Sequence, residues 1–171
     1  WCRLITADER DAVAAASGPD PLRADADAEL AWARLHRSRK PIGALLMEQS
    51  IFAGVGNIYR AEVLFRHGID PLLPGAELGR ATFDSIWSDL VTLMALGVRD
   101  ARIDTVEPDH TPEAMGRAPR VDRHGGEVYV YRRAGDPCLR CGTPVARADL
   151  AGRHLYWCPE CQPAGAPGGP R

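Results

Sequence analysis

Four cysteines close to the C-terminus, Cys138-Leu-Arg-Cys141 and Cys158-Pro-Glu-Cys161, form two C-x-x-C pairs with sixteen residues between them. Two thiolates at this spacing wrap one side of a metal ion, and a second such pair closes a tetrahedron. When sulfur fills all four positions, no coordination site stays open for a substrate. The quartet Cys138, Cys141, Cys158 and Cys161 therefore predicts one structural zinc ion, not a catalytic one. An iron tetrathiolate of the rubredoxin type is the rival that the same knuckles accommodate. A redox C-x-x-C fits less well, because no βαβ pattern surrounds either pair. The stretch between the pairs reads as a β-hairpin with Arg153 close to its tip.

A chain of 171 residues holds one ordinary domain, or a helical domain with a small module appended. Its first residue is Trp1, so it is expected to be part of a longer protein. No apolar run approaches the ~20 residues of a membrane span. Only Cys2 is left outside the metal-type pairs, which argues for a reducing compartment and for Cys2 as an incidental thiol. The net charge of −2 conceals an asymmetry. Residues 1–113 carry twelve basic and eighteen acidic side chains, a net of −6, and residues 114–171 carry nine and five, a net of +4. The C-terminal module is basic, as expected of a part that meets an anionic partner. Lys40 is the only lysine among the twenty-one basic residues.

Hydrophobic periodicity and capping residues predict a mainly α chain before this module. Thr6-Ala-Asp-Glu9 is a capping box that opens a helix to Ala16. Further helices are expected over 27–38, over 42–50 behind Pro41, over 58–67, and over 82–98. The last places Phe83, Ile86, Trp87, Leu90 and Met94 on one core-facing stripe. Residues 105–126, with Pro108, Pro112 and Pro119, read as an irregular linker. Residues 127–131 read as a short strand, and the Pro/Gly/Ala-rich tail 163–171 as disordered. The helical domain is thus 1–104 and the cysteine module 127–162.

The turn Gly54-Val-Gly-Asn57 lies between two of these helices. Asn57 is an N-cap residue type at the start of the next helix, whose first N–H groups have no intrahelical partner. Glycine-lined N–H groups at a helix N-terminus suit an anion such as phosphate. The same residues also make an ordinary helix–turn–helix connection that binds nothing.

The run Gln49-Ser-Ile-Phe-Ala-Gly-Val-Gly-Asn57-Ile-Tyr-Arg-Ala-Glu-Val-Leu-Phe65, followed by Gly68-Ile-Asp-Pro71, resembles the helix–two-turns–helix segment of the formamidopyrimidine-DNA glycosylase/endonuclease VIII family. Pro137-Cys-Leu-Arg-Cys-Gly-Thr-Pro144 and Arg153-His-Leu-Tyr-Trp-Cys-Pro-Glu-Cys-Gln162 resemble its C-terminal zinc finger, with a lean towards the endonuclease VIII branch. The resemblance runs from about Thr6 to Gln162. It implies a helix–two-turns–helix DNA-binding domain followed by a zinc-stapled β-hairpin, in a bifunctional glycosylase/AP lyase of base-excision repair. The implied partner is double-stranded DNA carrying an oxidised base or an abasic site, and the implied location is the cytoplasm, at the nucleoid. A monomer is expected.

By that resemblance Asn57 and the Gly56 amide hold a backbone phosphate, Arg153 clamps phosphate from the zinc finger, and Tyr131 contacts the DNA backbone. A packed strand aromatic is the other reading of Tyr131. The family's nucleophile, an N-terminal proline followed by glutamate on a β-sandwich domain, matches nothing here. Lys40 and the Trp1 α-amine are the only amines, and neither has a feature that suits it to Schiff-base chemistry. This chain alone is expected to be inactive. A non-catalytic helix–turn–helix plus zinc-ribbon module of the ribosome or of transcription is the alternative.

Overall fold

The structure is a computed structural model and describes residues 3–122 and 126–168. Cys2 and the Trp1 amine lie outside the described residues, as do 123–125 of the expected linker. The first helix, α1 (Ala7–Ala16), starts at Thr6 with the expected reciprocal capping box to Glu9. The second, α2 (Ala28–His36), is capped by Asp27, whose carboxylate accepts from the Glu29 and Leu30 amides. A single turn, α3 (Ile42–Leu45), follows, then α4 (Asn57–Arg66) and the long α5 (Arg80–Asp100). A short α6 (Pro112–Met115) precedes the hairpin of β1 (Ala146–Leu150) and β2 (Arg153–Trp157).

Helix α3 was expected to reach residue 50 and stops five residues earlier. The Gln49 side chain explains this: it accepts from the Gly54 amide at 2.9 Å and donates to the Val55 carbonyl at 3.0 Å, bracing a turn. Gly54 has φ of 79°, which glycine adopts without penalty. The Gly18 amide also donates to the Gln49 carbonyl, pinning the segment to the end of α1.

Two apolar clusters form the interior. The first joins α2 to α5 through Leu35, Ile42, Leu46, Phe52, Val63, Leu64, Phe83, Ile86 and Leu90. The second joins Ala61 and Phe65 of α4 to Val128, Tyr129, Val130, Tyr156 and three of the cysteines. Helix α4 serves both, so every residue from Tyr59 to Phe65 is buried, including Arg60 and Glu62 at 0 % exposure. A helix buried on all sides cannot leave charged groups to water, and residues two apart on a helix do not face each other. Each charge must find its own partners.

Glu62 finds them in the segment that was expected to be a strand. Residues 127–131 pair with no strand among the described residues. Instead the amides of Val130 and Tyr131 donate to Glu62 Oε1 at 2.9 and 2.8 Å, and Tyr129 N and Thr105 Oγ1 donate to Oε2 at 2.7 and 2.6 Å. Successive N–H groups that converge on one point form an anion nest, and a carboxylate fills this one. Arg133 holds the opposite side of the same loop, donating to the carbonyls of Tyr129 and Pro137 at 2.7 and 2.8 Å. A strand would have aimed these amides alternately to either side.

Two further expectations change. The segment 105–126 carries a 3-10 turn (Pro108–His110) and α6, and it is tied down through Glu127, which pairs with Arg117 at 2.7 Å and accepts from the Arg120 amide at 2.6 Å. The described part of the tail, 163–168, is ordered against the turn after α4. Asp70 N donates to Ala166 O at 3.0 Å, and Gly165 N donates to the Asp70 carboxylate at 2.7 Å. Composition predicted disorder there because it counts apolar content and not backbone partners.

Removing the Glu62 carboxylate strands four buried donors at once. Glu62→Ala is expected to cost about 3–5 kcal/mol in urea unfolding of the zinc-loaded chain. Glu62→Gln, which turns an NH2 towards N–H groups, is expected to lose about 2 kcal/mol or more. A loss under about 1 kcal/mol for both would contradict this role for Glu62.

Candidate nucleic-acid interface and metal centre

The four cysteine sulfurs lie within 4.8 Å of one another, with Cys138 and Cys161 at 3.9 Å and Cys141 and Cys158 at 3.5 Å. Zinc–sulfur bonds of about 2.3 Å place tetrahedral ligands about 3.8 Å apart, so the cage fits one zinc ion. Both knuckles direct backbone amides at sulfur: Arg140 N donates to Cys138 Sγ and Cys161 N to Cys158 Sγ. Burial pushes the Cys158 thiol up to about 11 and raises Cys161 too, whereas at Cys141 burial is outweighed by hydrogen bonds with Thr143, and the thiol comes down to about 7. A dication at the centre of four crowded cysteine sulfurs lets them become thiolates together. Among the described residues the cage offers four sulfur ligands, the donor set of a structural zinc site.

What the cage holds is the hairpin. Leu150 pairs with Arg153 across a two-residue turn whose Ala151 and Gly152 have φ of 51° and 72°. Positive φ at both positions matches the strand twist of a tight hairpin. Leu155 and Tyr156 anchor β2 inward, and Arg153 and His154 stay exposed. Gln162 fastens the second knuckle to the helical domain, accepting from Cys158 N at 3.0 Å and donating to Ile69 O at 2.9 Å.

The hairpin and the N-terminus of α4 meet. Asn57 Nδ2 donates to the His154 carbonyl at 3.0 Å, and Arg60 Nη2 donates to the same oxygen at 2.8 Å. Asn57 was expected as the N-cap of α4; the cap is Gly56, and Asn57 is the first helical residue. Its side chain is drawn off towards His154 and Arg60, which accounts for the difference. Helix α4 therefore starts with no side-chain cap, and a Cβ on Gly56 would meet nothing within 4 Å. Unpaired N–H groups at an open helix end favour an anion. The side chain of Arg153, beside His154, has no hydrogen bond or ion pair among the described residues. It shares a cleft of ≈ 380 Å³ with Lys40, Met47 and Glu48.

Of the sequence-predicted residues, Gly56 and Asn57 stand at the α4 N-terminus against the hairpin, and Arg153 is the neighbour in sequence of His154, whose carbonyl Asn57 holds. Tyr131 is nearby but only 8 % exposed, with its ring edge-on to Tyr156 at 5.6 Å and its amide bound to Glu62. Arg60 and the His154 carbonyl were missed. The available signal was two charged residues, Arg60 and Glu62, inside an otherwise apolar helical run.

Residues 17–107 match the family described as the formamidopyrimidine-DNA glycosylase H2TH domain. The chain belongs to this family. Residues 135–164 match a second family, described as the zinc finger found in FPG and IleRS. Endonuclease 8 1 of Mycobacterium tuberculosis is 49 % identical over 164 residues, covering 94 % of this chain and 59 % of the relative. Formamidopyrimidine-DNA glycosylase of Parasynechococcus marenigrum is 38 % identical, covering 85 % of this chain and 50 % of the relative. Among solved structures, the MutM (Fpg) protein of Thermus thermophilus superposes with a TM-score of 0.71 at 30 % identity, over 95 % of this chain and 60 % of that one. Lactococcus lactis Fpg in complex with abasic-site DNA gives 0.69 at 26 %, over 93 % and 57 %. The chain thus spans a little over half the length of these relatives. Among its described residues no helix is long and apolar enough to cross a membrane.

The first apolar cluster contains no cysteine and the second contains three. Chelation of zinc, or Cys158→Ser, is therefore expected to open residues 132–162 to proteolysis while α1 to α5 keep most of their helical circular dichroism. Unchanged proteolysis of that segment after metal removal would contradict the assignment.

Proposed function

We propose that this chain is the DNA-gripping portion of a base-excision-repair enzyme, a bifunctional glycosylase/AP lyase that acts on oxidised bases. The observation that carries this reading is the meeting of the uncapped α4 N-terminus with the hairpin at the His154 carbonyl, which accepts from Asn57 and Arg60 and lies next in sequence to the exposed Arg153. Open backbone N–H groups, an amide donor and an exposed guanidinium are donor types suited to a phosphate diester. Such contacts position a duplex without reading its sequence, which suits an enzyme that recognises damage by flipping a base out of the stack. The names and bound DNA of the relatives support the same partner. They do not favour the ribosomal or transcriptional alternative. Tyr131, beside this set, is proposed to border the backbone through the edge of its ring.

The chain alone is proposed to lack lyase activity. Lyase chemistry needs an unprotonated amine at the sugar C1′. The Lys40 ammonium is exposed and paired with Glu48 at 2.6 Å, with no buried pocket to desolvate it. Incubation with abasic-site duplex and borohydride is expected to leave no covalent adduct. A trapped adduct would place the nucleophile within these 171 residues.

Arg153→Ala is expected to weaken binding to every duplex about tenfold at low salt and to reduce the slope of log K against log salt by about one. Fluorescence anisotropy with an abasic-analogue duplex measures both. Affinity and slope equal to wild type would remove Arg153 from the interface.

A further inference from the structure

The least compensated charge among the described residues lies directly beneath this interface. Arg60 is 0 % exposed, and no carboxylate is paired with it. Its guanidinium donates to three neutral oxygens on three elements: Gly43 O of α3 at 3.3 Å, His154 O of β2 at 2.8 Å, and Asn57 Oδ1. Its Nε has no partner. The carboxylate nearest along the hairpin, Asp149, bonds the His154 ring at 2.7 Å instead. Burial, and after it the positive charge of Arg153, lower the Arg60 pKa to about 10. An isolated buried cation is costly, and its retention calls for a reason that packing does not supply.

We propose that Arg60 is the positioning residue of the phosphate grip, fixing Asn57 as a donor and setting the hairpin beside it. This rests on the reading of Asn57 and Arg153 as phosphate ligands. An asparagine amide has two orientations half a turn apart, one offering N–H to an anion and the other offering a repelling carbonyl oxygen. An Arg60 N–H on Oδ1 and the His154 carbonyl on Nδ2 both select the first. One Nδ2 hydrogen is used by His154, and the second is left for the phosphate. The same guanidinium fixes the His154 carbonyl, and with it the chain position from which Arg153 projects. A bound phosphate brings negative charge to a site where the Arg60 guanidinium has only neutral oxygen partners. Lysine cannot substitute, because one ammonium on a flexible stem does not span three oxygens on three elements in a fixed fork.

The test is a double-mutant cycle on the zinc-loaded chain, with affinity for an abasic-analogue duplex read by fluorescence anisotropy. Asn57→Ala is expected to weaken binding about tenfold, the size of one charge-assisted hydrogen bond. Arg60→Met is expected to lose about as much, and the double variant no more than about twofold beyond either single, because both remove the same contact. Binding by Arg60→Met within twofold of wild type, or losses that multiply to about a hundredfold, would overturn the proposal. If Asn57→Ala and Arg153→Ala both bind like wild type, the phosphate reading itself fails; if they weaken and Arg60→Met does not, only this inference fails. Zinc content and circular dichroism report whether Arg60→Met folds. Should it not, Arg60→Lys carries the test through the Asn57 side-chain NH2 resonances. Their chemical shifts are expected to move while the backbone spectrum is kept, and wild-type shifts for that NH2 group would overturn the proposal.

Discussion

The hydrogen bonds that converge on the Glu62 carboxylate hold the two halves of this molecule in one arrangement. Three consecutive backbone amides and one threonine hydroxyl reach it, none from its own helix. The 128–131 loop therefore cannot leave α4 without exposing several buried donors together, each of them expensive to strand. That loop leads straight into the first zinc knuckle, so the metal module inherits its position from a helix of the other domain. Arg140 reinforces the joint, its guanidinium stacked 4.9 Å from the rings of both Phe65 and Tyr129 and paired with Glu107 at 3.0 Å.

Helix α4 organises both sides of the site because of its period. Residues 60 and 62 stand about 200° apart around a helix of 3.6 residues per turn. Glu62 thus points to the loop before the zinc module, and Arg60 points to the tip region of the hairpin. One helix fixes the module at two places, through an anion that binds amides and a cation that binds carbonyls. Cys138, Cys141, Cys158 and Cys161 would hold a zinc ion, which would add local rigidity to the hairpin. Donors held this way are already oriented, and on the proposed reading less ordering is required when a duplex binds.

Much of this was legible in the sequence. The cysteine spacing determined the metal cage, Thr6 and Asp27 marked the starts of α1 and α2, and the glycine turn marked the start of α4. What was not legible depended on tertiary partners. Residues 127–131, rich in valine and tyrosine, have strand propensity, but the buried Glu62 carboxylate captures their amides and propensity yields. Asn57 has a capping side chain, but the His154 carbonyl and Arg60 compete for it successfully. The tail has the composition of a disordered segment, yet two hydrogen bonds to Asp70 suffice to seat its described part. In each instance polar partners from another part of the chain contribute to the local conformation.

The central claim is that Asn57 and Arg153, contributed by different modules, hold the same stretch of DNA backbone. Replacing single phosphates around an abasic-site analogue with uncharged methylphosphonates, one position at a time, tests it most directly. The account predicts one phosphate, or two adjacent ones, whose neutralisation weakens binding of the wild-type chain and abolishes the further effect of both Asn57→Ala and Arg153→Ala. If the two substitutions respond to phosphates several nucleotides apart, or to none, the two modules do not form a shared grip and the account is wrong.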